Sequence, residues 1–83
     1  AKDISPQVDL RGLMALEAID KLDKYLDDAY LAGLTQVTII HGKGTGALRN
    51  AVQEYLRTNR RIKSYRAGIY GEGEAGVTIA ELK

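Results

Sequence analysis

The segment Gln36-Val37-Thr38-Ile39-Ile40-His41 is apolar and β-branched almost throughout, and it runs directly into Gly42-Lys43-Gly44-Thr45-Gly46. Side chains of that kind pack on a pleated surface, and so apolar a run belongs in a strand covered by helices on one or both faces. The glycines end the strand. Leu48, Val52 and Tyr55, flanked by Ala51 and Leu56, then recur at helical spacing as far as Thr58-Asn59, a helix of about 12 residues. A strand, a glycine loop and a helix in this order restrict the chain to an α/β architecture. At 83 residues it holds one such domain.

The flanking segments extend the pattern. Val8-Asp9-Leu10-Arg11 alternates apolar and charged side chains as a short strand does, and Gly12 breaks it. Ala15, Ile19, Leu22, Leu26 and Ala29 predict a helix of about 18 residues, closed by Gly33, with Glu17, Asp20, Lys21, Lys24, Asp27 and Asp28 on its outer side. Ile62 to Arg66 and Val77 to Leu82 read as two further strands, joined by a glycine-rich, acidic stretch, 68–76, long enough to be expected mobile. The order β-α-β-α-β-β predicts a two-layer α/β sandwich with a mixed four-stranded sheet. Its first strands are parallel through right-handed crossovers and its last is antiparallel. Residues 1–7 lack a period and do not begin with Met, so they read as a linker or cut end of a longer protein, with the domain over 8–83.

Several function classes fall away. Without cysteine there are no disulfide staples and no Cys-based zinc sites. No apolar run approaches the roughly 18 to 20 residues of a membrane crossing and no leader is visible, so a soluble, cytoplasmic chain is expected. Taken as a sum, the net charge of +1 argues against a polyanionic partner. Its distribution argues otherwise. Between His41 and Arg66 the cations Lys43, Arg49, Arg57, Arg60, Arg61, Lys63 and Arg66 face only Glu54, whereas the first helix and the closing segment are acidic. The run Arg49, Arg57, Arg60, Arg61, Lys63 and Arg66 is the candidate phosphate-contacting surface, the alternative being a solvated face. Tyr65 is a candidate for base stacking, whereas Tyr55 reads as core and Glu72 and Glu74 as solvated loop.

The candidate site lies where the first two strands end. Asp9 and Arg11 leave strand one on one face, and His41 with its glycine loop leaves strand two; if the strands are neighbours, these groups converge. Glycines let the backbone approach an anion, and the following helix supplies unpaired N–H groups, with Lys43 and Thr45 adding a charge and a hydroxyl. The spacing is wrong for a P-loop. Gly42, Gly44 and Ala47 fit a dinucleotide fingerprint, but Arg66 and Ala67 stand where its acidic residue belongs. Asp9 and Arg11 read equally as a strand-edge ion pair, and His41 as a partner of a backbone carbonyl.

Val8-Asp9-Leu10-Arg11-Gly12, followed by His41-Gly42-Lys43-Gly44-Thr45-Gly46-Ala47-Leu48-Arg49 and the closing Gly76-Val77-Thr78-Ile79, resembles the Smr (small MutS-related) domain over residues 8–83. The form is most like the C-terminal Smr domain of a bacterial MutS paralogue of the second type. The resemblance implies a fold like the C-terminal domain of translation initiation factor three. It also implies a cytoplasmic role in nicking DNA or cleaving RNA, attached to a MutS-like ATPase and linked to recombination suppression or the ribosome. Carried onto this chain, it makes Asp9, Arg11, His41 and Lys43 catalytic and Gly42, Gly44, Thr45 and Gly46 phosphate-binding. His41 and Asp9 would share the proton transfers while Arg11 stabilises charge. RNA-cleaving members carry Asp-x-His where this chain has Arg11, and Arg cannot act as a base. No tightly bound cofactor is expected and a divalent-metal requirement is left open, since Asp9 alone is a thin ligand set. Two rivals are a non-catalytic docking module for nucleic acid or ribosome, and a protein-interaction domain working through the acidic first helix.

Overall fold

The computed structural model describes residues 3–83. The elements are β1 (Gln7–Asp9), α1 (Ala15–Leu31), β2 (Gln36–Ile40), α2 (Ala47–Arg57), β3 (Ile62–Ala67) and β4 (Val77–Leu82), with a short 3₁₀ turn at Glu74–Gly76 before β4. The sheet order is β1-β2-β4-β3, with β1 parallel to β2 and β4 antiparallel to both β2 and β3. The fold is therefore α/β with a mixed four-stranded sheet, as the sequence pattern predicts. β1, β2 and β3 share a direction, so their C-terminal ends gather at one edge.

Helix α1 buries Ala18, Leu22, Leu26 and Ala29, a stripe at helical spacing, and α2 buries Val52 and Leu56. These pack in one cluster with Val8, Leu10, Val37, Ile39, Ile62, Ala80 and Leu82 of the sheet. In β2 the inward residues are Val37 and Ile39 and the outward ones, Thr38 and Ile40, are only partly buried. Both helices thus cover one face. Val77 and Ile79 are nonetheless buried on the other. The backbone of the β3–β4 connection accounts for Val77: a Cβ at Gly68 or Gly73 would come within 2.4 or 2.6 Å of its side chain.

Three expectations change on contact with the structure. The connection 68–76, expected to be mobile, is fastened: Arg66 grips Glu72 at 2.7 and 3.0 Å, and Glu72 accepts the Ile69 N–H at 2.9 Å. Glu72 is accordingly an ion-pair partner rather than a solvated side chain. The stretch read as a linker packs on the domain from residue 4 onward, residues 1 and 2 lying outside the described part. Ile4 rests on the core, Ser5 O accepts the Tyr25 hydroxyl, Pro6 O accepts the Thr38 N–H, and Gln7 opens β1. β1 in turn stops at Asp9 rather than Arg11, because Leu10 makes one last bond to Ile40 O and the chain turns at Gly12, φ +82°. Truncating the core is expected to be costly: Leu22→Ala should lower the unfolding free energy by about 2–5 kcal/mol in urea titrations. Leu16→Ala, at an 88% exposed position on the same helix, should stay within about 0.5 kcal/mol.

Candidate functional site

Because β1 lies beside β2 with Asp9 opposite Ile40, the chain leaves both strands at the same place. The Asp9 carboxylate is held by Arg11 from three directions: the backbone N–H at 3.0 Å and Nε at 2.9 Å reach Oδ1, and Nη2 reaches Oδ2 at 2.7 Å. Hydrogen bonding from the Arg11 side chain, then from its backbone N–H, pulls the Asp9 carboxyl down to about 2, so it is ionised throughout the neutral range. Lys21 Nζ donates to Asp9 O at 3.0 Å and adds a further cation. The stem of Arg11 crosses Gly42, where a Cβ would stand 3.4 Å from Arg11 Cγ. The predicted convergence of the two strand ends is therefore present.

His41 is turned inward, 5% exposed. Its Nδ1 lies 3.0 Å from Gly42 O and its Nε2 2.8 Å from the hydroxyl of Thr78, itself fully buried on β4. A carbonyl oxygen only accepts, so the hydrogen-bond network assigns the proton to Nδ1; in the neutral ring Nε2 then accepts the Thr78 hydroxyl. The His41 and Gly42 N–H groups both donate to Gly76 O, at 3.1 and 2.9 Å. Neither imidazole nitrogen faces the exposed side of the loop unengaged.

Beyond this anchor the loop is left-handed at Gly42 (φ +81°) and Gly46 (φ +88°), a region in which a side chain is strained. Gly46 is the N-cap of α2, and the Thr45 hydroxyl accepts the Ala47 N–H at 3.3 Å. The first turn of α2 carries no acid, and the N–H groups of Leu48 and Arg49 precede any helical acceptor, so the helix end is positive. Lys43 is exposed, and the Arg49 guanidinium curls back over Gly46. Opposite stand Leu13, Met14 and Ala15 at the head of α1, which close a groove of about 390 Å³.

The rest of the basic run is elsewhere. Arg57, Arg60, Arg61 and Lys63 lie at or beyond the C-terminal end of α2, one 11-residue helix away from the loop, or about 16 Å. Nor is the run free of acids. Arg57 pairs with Glu54, Arg61 with Asp27 while lying over the Tyr30 ring, and Arg66 with Glu72. The phosphate-facing run predicted from the sequence is thus divided into a loop cluster of Arg11, Lys43 and Arg49, a distant, partly neutralised cluster from Arg57 to Lys63, and Arg66, which β3 carries back toward the loop edge but which Glu72 holds. Tyr65, a candidate for stacking, rests partly buried against the core. Tyr55 is core as expected, its hydroxyl bonded to Asp23 and Asn59 and pushed up to about 12, chiefly by burial. Among the described residues no three His, Cys, Asp or Glu side chains gather as a metal site, and no helix is long and apolar enough to cross a membrane. The sequence pattern missed Thr78 and Gly76 as site residues; a lone hydroxyl within the apolar start of β4, Val77–Ala80, was the available signal.

A glycine loop capping a helix at the edge of a mixed sheet, with a clamped Asp-x-Arg beside it, defines a small α/β domain with an exposed, positively charged loop. The chain belongs to the Smr domain family, which matches residues 8–83. It is 61% identical over its whole length to a protein called endonuclease MutS2 from Acetivibrio thermocellus, and 65% identical to its counterpart from Symbiobacterium thermophilum. It spans about 10% of the length of each. Among solved structures it resembles the Smr domain of Thermus thermophilus MutS2 at 45% identity and a TM-score of 0.91, covering 93% of this chain and 96% of that one. The stand-alone Escherichia coli protein YdaL, at 23% identity and a TM-score of 0.89 over 94% of this chain and 64% of its own, shares the fold. If the Thr78 hydroxyl seats His41, Thr78→Val should cost about 1–3 kcal/mol by leaving buried Nε2 without a partner, while Thr78→Ser recovers most of it. Chemical denaturation measures both.

Proposed function

We propose that this domain grips the phosphodiester backbone of a nucleic acid at its glycine loop and nicks it, as part of a longer cytoplasmic MutS-like ATPase. DNA is the substrate put forward, with structured RNA, including that of the ribosome, as the alternative. One observation carries the reading: the positive head of α2, Lys43 and Arg49 line one exposed loop whose groove has no acidic lining residue, with Arg11, paired to Asp9, lying across Gly42. Loop N–H groups and Lys43 bind the non-bridging oxygens. Asp9 occupies two of the five guanidinium N–H donors of Arg11, which leaves three for charge that builds up on the phosphorus oxygens in the transition state. Asp9 Oδ2, bonded once, retains a lone pair to orient a water. Its low proton affinity makes it a poor base, so on this reading its part is orientation.

The share of proton transfer assigned to His41 from the sequence is revised in the same way. With Nδ1 on Gly42 O and Nε2 on Thr78, His41 acts through the loop it holds, as a positioning residue. That arrangement also favours a second reading, a docking module that binds nucleic acid or ribosome without cutting, because no unengaged base faces the loop.

Nicking of supercoiled plasmid and cleavage of structured RNA separate the two. The native chain is expected to nick, and Lys43→Ala to weaken binding and nicking together. Its salt slope should fall by about one unit, that of Arg60→Ala should not change, and His41→Ala should weaken binding through the loop. Binding without cutting by the native chain would leave the docking reading. A slope that responds to Arg60 and not to Lys43 would overturn the placement of the phosphate.

A further inference from the structure

Beside the phosphate cradle the groove has a second wall, which the backbone-binding reading leaves unused. Leu13, Met14 and Ala15 form it, with Ala47 and Leu48 across from them, and none of the residues that line the groove is acidic. Met14 is 73% exposed, and it occupies the N-cap of α1, where Ser, Asn or Asp would serve the helix better. A local rule broken next to a binding loop points to the ligand rather than to the helix. The groove, about 390 Å³, lies at the low end of the range for small-molecule sites, room for one nucleoside. A thioether is soft and polarizable and makes favourable contact with an aromatic ring.

We infer that the groove is a nucleoside subsite: the strand whose phosphate sits on Gly42 to Gly46 places the adjoining base against Met14 and Leu13. This rests on the phosphodiester reading and names its substrate class. A base so held is unstacked from its neighbours, so the strand enters single-stranded or with that nucleotide extruded. The charges complement the occupant, with Lys43 and Arg49 toward the phosphate side and apolar carbon and sulfur toward the base.

The test compares a single-stranded oligonucleotide with a phosphodiester chain of the same length whose sugars are all abasic, each labelled and titrated with the native chain. The intact strand should bind at least about fivefold more tightly. In Met14→Ser the ratio should fall toward one, and in Met14→Leu it should persist. Serine is a favoured N-cap, so a loss in Met14→Ser cannot come from unfolding, and an undiminished Tm checks this. Equal affinity of the native chain for both polymers, or a preference that survives Met14→Ser, overturns the subsite while the phosphate site stands. Binding of neither polymer overturns the phosphodiester reading itself.

Discussion

The Gly76 carbonyl is the joint on which the site depends. It accepts the N–H groups of both His41 and Gly42, and so ties the end of β2 to the start of β4 at the point where the chain must turn. Two unlike things follow from one acceptor. The His41 ring is delivered to the helix-facing side of the sheet, where Thr78, whose neighbour Val77 pairs with Ile40, meets its Nε2. Gly42 is swung into the left-handed region, where Arg11 can lie across it. The glycine loop is therefore held from beneath by buried hydrogen bonds and presents its other side to solvent. For the proposed anion binding such a loop would need little reorganisation, which is where preorganised donors gain over flexible ones.

Charge is organised on the same principle. Exposed ion pairs such as Arg57–Glu54 and Arg61–Asp27 contribute little to stability, but they remove cations from the set available to a polyanion. The Asp9–Arg11 pair differs because Asp9 engages only part of the guanidinium fork. It fixes the fork while leaving donors outward, so the carboxylate serves as a holder for the arginine. The near-neutral sum over the chain thus conceals a local surplus at the loop and a compensated cluster one helix length away.

The element order, the single long apolar strand and the two amphipathic helices were legible because they depend on periods of 2 and 3.6 that neighbouring residues carry themselves. The meeting of Asp9-x-Arg11 with the glycine loop was legible too, through the rule that parallel strands end together. What was not legible depends on register across elements. The bond from His41 to Thr78 joins residues 37 apart and the Arg61–Asp27 pair joins residues 34 apart, and no local period announces either. Reading Arg57 to Arg66 as one basic face treated sequence proximity as spatial proximity. α2 and β3 run in opposite directions, so Arg66 returns to the loop edge while Arg60 and Arg61 stay at the other. The fastening of the 68–76 connection was hidden for a similar reason, since glycine content signals freedom until Arg66 and Val77 are seen to be its partners.

On the proposed function, anion binding belongs to the glycine loop and not to the longer basic run. An amide-resolved ¹H–¹⁵N NMR titration with inorganic phosphate tests it most directly. Shifts are expected at the amides of Gly42 to Arg49 and at the Arg11 Nε–H, with residues 57–63 still. Shifts confined to residues 57–63, with the glycine loop unmoved, would contradict it.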